Sequence, residues 1–243
     1  MTTAEHVLAL FLFVGVPVWD VLETRALKTG TNPRRKVLAY QRILVVEWVA
    51  AAIAWIALRS EVFLVWPAAR QTGLQTIGMS FVLGLVFALM AGSLLQAYFT
   101  RRNPKMRLQT LKAFRRMAFI LPVSSEERAW FALVSITAGI CEEVLYRGFL
   151  IRYLSSDPWH LGLWVALAVS CLAFGLAHGY QGLYGIIGTA VLGAVFGTVF
   201  VLTGNLWLPI AMHAVIDLRI LFLLRPGELE EKMSPAKVAE PMK

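Results

Sequence analysis

The sequence predicts an all-α fold, a polytopic transmembrane bundle of seven or eight helices, on three observations. Of 243 residues, 58% are hydrophobic and only 16% charged, and the mean hydropathy is +0.66, too apolar for an ordinary water-soluble domain. Seven apolar windows approach or exceed the roughly 20 residues that carry a helix across a bilayer. The basic residues gather in alternate loops, as in a membrane protein.

The windows run Val7 to Glu23, Val37 to Leu58, Leu74 to Phe99, Ala129 to Leu154, Leu161 to Ala177, Leu183 to Leu202 and Leu206 to Leu224. An eighth short or re-entrant helix has room between Phe99 and Trp130; an amphipathic stretch from Lys105 to Phe119 suits a lipid surface. The first window has no basic residue before it, so it reads as a retained anchor rather than a cleaved signal. Pro17 and Pro209 interrupt two windows. Trp19, Trp66, Trp159 and Trp207 near window ends fit interfacial belts, and Asp20, Glu23, His6 and His160 fit the headgroup level.

Arg25, Lys28, Arg34, Arg35 and Lys36 fill the first loop, and Arg101, Arg102, Lys105, Arg107, Lys112, Arg115 and Arg116 the third. The loop between, around Arg59 and Arg70, is poorer in charge and holds Glu61. The expectation is an integral protein of a cell inner membrane, amino terminus outside and carboxyl terminus cytoplasmic. The net charge of +8 is thus explained by topology, without nucleic acid; the partners expected are a peptide or protein substrate and membrane lipid. Cys141 and Cys171 fall in apolar windows, as small buried side chains. Gly193 and Gly197 form a Gly-x-x-x-Gly suited to close helix packing. Three regions follow: helices and cytoplasmic loops over 1–125, a helical core over 126–225, and a mobile tail over 226–243.

A few charges stand where lipid penalises them. Glu142, Glu143 and Arg147 lie inside the run Ala138-Gly-Ile-Cys-Glu-Glu-Val-Leu-Tyr-Arg-Gly148, and a charge at the centre of a membrane helix costs about 2.5–3.5 kcal/mol on insertion scales. Residues four apart lie about 40° apart on a helix and adjacent ones about 100°. Glu143 and Arg147 therefore share a face and neutralise one another as a supporting pair. Glu142 points elsewhere, without that cation, and is the reactive candidate. Phe174-Gly-Leu-Ala-His178 closes the fifth window, and His213-Ala-Val-Ile-Asp217 puts another pair on one face of the seventh. Glu47, with Gln41 and Arg42 before it, reads as an interhelical hydrogen-bonding or ion-pair residue.

Two histidines and one spare carboxylate from three apolar helices can meet only around an internal cavity. The chemistry such a group supports is water activation: a carboxylate in low dielectric can accept and return a proton near neutral pH. His178 orients or shares that proton, while His213 and Asp217 face a developing oxyanion. Two His and one Glu are also a ligand set for catalytic zinc. That version stays open, although no His-Glu-x-x-His occurs.

Glu142-Glu143-x-x-x-Arg147, Phe174-x-x-x-His178 and His213-x-x-x-Asp217 resemble, in order and spacing, the motifs of the CAAX protease and bacteriocin-processing family of intramembrane endopeptidases. The resemblance covers roughly Glu126 to Leu224, including Thr137-Ala-Gly-Ile and Arg147-Gly-Phe-Leu. It implies a glutamate-dependent membrane protease, cleaving near the carboxyl end of a lipidated peptide, the prenylated class included, or of another membrane-associated one, without a cofactor. It further implies catalytic roles for Glu142, His178, His213 and Asp217, with Glu143, Arg147 and Phe174 supporting. The prenyl-protein endopeptidases typically carry Asn where Asp217 stands. An ionised Asp donates no hydrogen bond, so an orienting role toward His213 competes with the oxyanion role. Two other classes compete with the protease: a non-proteolytic immunity or binding protein, and a transporter using the same charges. The absence of an evident inverted repeat argues mildly against the transporter.

Overall fold

The computed structural model describes residues 2–58 and 73–225. Arg59, Glu61, Trp66, Arg70 and the 226–243 tail lie outside the described residues. Among those described there are eight helical rods and no strand. They are α1 Thr3–Thr29 and α2 Arg35–Ala57, α3 Gly73–Arg102 and α4 Pro104–Phe114, α5 Ser125–Ser155, α6 Leu163–Leu176, α7 Leu183–Thr203 and α8 Trp207–Leu223. By length and composition, four of these described helices, α1, α2, α5 and α7, suffice to cross a membrane, and α6 is a shorter apolar helix. The chain is an integral membrane helix bundle.

Polar caps set the helix ends beyond the apolar windows. Thr2 and Glu5 form a capping box on α1, and Ser124 and Glu127 form one on α5, each satisfying backbone N–H groups that have no partner within the helix. Pro17 does not end α1: the turn Phe11–Gly15 just before it is π-wound, a local widening that absorbs irregularity in a helical ladder. Pro209 lies in the first turn of α8, where a missing N–H costs little. The eighth helix is α4, capped by the Asn103 side chain on the N–H groups of Lys105 and Met106. It is shorter than the stretch expected and passes into a 3₁₀ turn at Arg115–Met117.

The most extensive helix pairs are α6 with α7, α5 with α8, and α2 with α5. Backbone approach is close at two glycines: a Cβ on Gly175 would lie 2.7 Å from the Ile186 carbonyl oxygen, and one on Gly139 would lie 3.0 Å from the Ala214 nitrogen. Such contacts are how membrane helices gain dispersion energy when lipid is as apolar as Leu. Phe149, Leu150, Leu12 and Ala54 are among the buried residues of the main core. Cys141 and Cys171 are buried and unbridged.

One end of the bundle is tied by polar contacts. Lys36 Nζ donates to the Leu121 carbonyl at 2.7 Å, and Tyr40 Oη donates to the Ile120 carbonyl. Arg128 donates to the carbonyls of Leu224 and Leu221 at 2.9 and 2.6 Å, satisfying acceptors at the carboxyl end of α8. This fixes α5 and α8 side by side, the relationship on which the site depends.

Candidate active site

Within α5 the winding changes from α to π at Glu143 and stays so to Leu150; such widened turns recur at functional sites. Glu143 and Arg147 are sealed, at 0% and 1% exposure. Arg147 Nη1 donates to Glu143 Oε1 at 2.9 Å, the supporting pair that the four-residue spacing predicts. The guanidinium lies 4.3 Å from the centre of the Phe174 ring. Gly193 makes room for it: a Cβ there would lie 3.0 Å from Arg147 Nη2 and 3.1 Å from Phe174 Cδ1. Gly197 packs closely as well, against Leu167 of α6.

Glu143 has a second partner. His213 Nδ1 donates to the same Oε1 at 2.9 Å, so one carboxylate oxygen joins α5 to α8. His178 Nδ1 donates to the Phe174 carbonyl at 2.8 Å. Because a carbonyl and a carboxylate only accept, each ring carries a hydrogen on Nδ1 and turns Nε2 inward. Both Nε2 atoms face Glu142: Oε2 lies 3.9 Å from that of His178 and 3.6 Å from that of His213. Glu142 keeps 17% of its side chain exposed against 0% for its neighbour, so only Glu142 is open to a ligand. Its Oε2 has no hydrogen-bond partner.

Asp217 Oδ2 lies 3.7 Å from His213 Nε2, beyond a direct hydrogen bond. The Nδ1 hydrogen bond that orients His213 goes to Glu143, not to Asp217. Phe174 packs edge-on against both imidazoles, with centroids 4.7 and 5.9 Å away. All seven residues singled out from the sequence thus meet in one place, carried by α5, the end of α6, and α8.

Glu142, Phe174, His178, His213 and Asp217 border a cavity of about 620 Å³, a size typical of ligand sites. The cavity also draws on the first two helices, through Phe11, Val16, Trp19, Ile43 and Val46. Trp19 is among these lining residues, whereas Trp159 and Trp207 are exposed.

Four acidic or basic residues outside the three motifs also line the cavity: Asp20, Glu23, Glu47 and Arg219. Asp20 and Glu23 line the cavity, and Asp20 Oδ2 accepts the Tyr180 N–H at 2.9 Å, holding the turn that follows His178. Glu47 also lines it, with Oε2 buried and unpartnered; Arg42 pairs with Glu23 instead. Arg219 is a further lining residue. A charge inside an apolar run was the available signal for Glu47 and Arg219, but spacing did not say which way either pointed.

Among the described residues, no group of three or more His, Cys, Asp or Glu side chains is arranged to hold a metal ion.

Residues 124–219 match the family model described as type II CAAX prenyl endopeptidase Rce1-like. No curated protein and no solved structure matches the chain. The matched stretch contains every residue of the three motifs, whereas Asp20, Glu23 and Glu47 come from helices before it.

Proposed function

We propose, from the premise that residues 124–219 are a type II CAAX prenyl endopeptidase-like core, that the chain hydrolyses a peptide bond inside the membrane with water activated by Glu142. The observation that carries this reading is the convergence of Glu142 Oε2 with the Nε2 atoms of His178 and His213, at 3.9 and 3.6 Å. Polar atoms at such separations are too far apart to bond directly and close enough for one water to reach each of them.

Glu142 takes a proton from that water, with His178 Nε2 accepting the second hydrogen and fixing its orientation. The oxygen attacks the carbonyl carbon, and the carbonyl electrons pass to oxygen. His213, as imidazolium held through Nδ1 by Glu143, donates from Nε2 to that oxyanion. The C–N bond then breaks, and the proton held by Glu142 goes to the leaving amine. Water and amide become acid and amine, and Glu142 returns to its starting state.

The apolar wall supplied by α1 and α2 suits a peptide carrying a lipid chain, which makes a prenylated or otherwise membrane-bound peptide the substrate class of this reading. The basic first and third loops support a cytoplasmic carboxyl end. The test compares peptide termini in membranes containing wild-type protein or Glu142→Gln. New termini only with wild type are expected; identical termini in both would defeat the reading. Stoichiometric zinc lost together with activity would replace the metal-free mechanism.

A further inference from the structure

Glu47 stands on α2, ahead of the stretch that matches the family model, and lines the cavity with Ile43, Val46 and Ala50 of the same helix. Its Oε2 is buried without a hydrogen-bond partner. A desolvated carboxyl left in that condition costs free energy, and its presence at a cavity wall points to something that engages it there. α2 packs along α5, where Trp48 Nε1 donates to Thr137 Oγ1 at 3.3 Å. The charge of Glu47 acts on Cys141 more strongly than does that of Glu142, the next residue along α5. The Glu47 carboxyl therefore lies against α5, close to Glu142.

The two glutamates border one cavity in opposite company. The charges that act most on Glu142 are those of His213 and Arg147, and its Oε2 lies 3.6 Å from His213 Nε2. Those that act most on Glu47 are Glu142 and Asp217, of its own sign. Cations beside a carboxyl favour the carboxylate, which serves as a base, and carboxylates beside a desolvated one favour the acid; two carboxyls so placed divide the roles between them. We infer that Glu47 is the acid that protonates the leaving amine, while Glu142 is the base that draws a proton from water. This rests on the proteolytic reading above and adds the route of its proton. As the C–N bond breaks, its electron pair goes to nitrogen and takes the Glu47 proton. The Glu47 carboxylate then receives, through water in the cavity, the proton that Glu142 took, and both glutamates return to their starting states.

The test uses full-length protein in proteoliposomes and two fluorescent S-farnesylated peptides of one sequence. One keeps the amide at the bond cut in membranes containing wild-type protein, and the other has a thioester in its place. A thiolate leaves without a proton; an amine does not. Glu47→Gln is expected to cut the amide about 10²–10⁴-fold more slowly, the weight of a positioned acid. It is expected to cut the thioester at the wild-type rate, which also shows an intact fold and working water activation. Glu47→Asp, still an acid, recovers part of the amide cleavage, and Glu142→Gln loses both activities. Amide cleavage at the wild-type rate in Glu47→Gln, or an equal loss on both probes, overturns the inference and leaves the proteolytic reading standing. Absence of any cut bond with wild-type protein defeats both together.

Discussion

Glu143 and His213 are joined across α5 and α8 by a 2.9 Å hydrogen bond to the same carboxylate oxygen that receives Arg147. Two neighbouring glutamates thereby acquire opposite surroundings. Glu143 is sealed between a guanidinium and an imidazole, and Glu142, turned about 100° away, lines the cavity with its Oε2 buried and unpartnered.

Glu142→Gln keeps the size of the side chain and cannot take a proton. Hydrolysis of a membrane peptide, followed by mass spectrometry, is expected to fall by about 10²–10⁴-fold, the usual weight of a positioned general base, with thermal unfolding in detergent little changed. Full activity in this variant would remove Glu142 from the chemistry.

Glu143→Leu or Arg147→Met alone leaves one buried charge unpaired, which costs about 3–5 kcal/mol. The double variant is expected to unfold at a higher temperature than either single one, since it buries no orphan charge. Its activity stays low, because His213 Nδ1 has lost its acceptor. A double variant with wild-type turnover would show that Glu143 does not position His213.

Gly193→Ala forces a methyl against Arg147 Nη2 and the Phe174 ring at 3.0 and 3.1 Å. Overpacking of this kind costs about 1–3 kcal/mol, read as a lower melting temperature. Gly92→Ala is the comparison, since a Cβ there meets nothing within 4 Å and gains helix propensity of up to about 1 kcal/mol. Equal melting temperatures for the two variants would contradict the packing described.

Asp20→Ala removes the acceptor for the Tyr180 N–H, which anchors the turn after His178. A lost hydrogen bond of about 1 kcal/mol corresponds to roughly a 5-fold fall in kcat, with KM nearly constant. Asp20→Asn retains an acceptor oxygen and is expected to recover most of the loss. A fall in Asp20→Ala carried by KM alone, or no recovery in Asp20→Asn, would assign Asp20 a different role.

The rods and the motif residues were legible in the sequence because both signals are local. A run of apolar residues predicts a span by itself, and four-residue spacing puts Glu143 with Arg147 and His213 with Asp217 on common faces. Misread residues were those whose role depends on a neighbour distant in the chain. Asp20 and Glu23 look interfacial until α1 packs beside the turn at Tyr180. Glu47 looks like a residue bonded across helices, yet its Oε2 is buried at the cavity without a hydrogen-bond partner.

By itself, then, the sequence determined an all-α membrane bundle, the pairing of Glu143 with Arg147 that sets it apart from Glu142, and the three segments whose polar residues meet in one place. Lipid has no hydrogen bonds to offer, so each charge in an apolar run had to signify a partner or a cavity. Tertiary structure alone decided which partner. It gave His213 to Glu143 rather than Asp217, turned both Nε2 atoms toward Glu142, and brought Asp20 and Glu47 from the first two helices to the same cavity. Those choices depend on how rods pack side by side, and packing is set by contacts between residues that spacing along one helix does not relate.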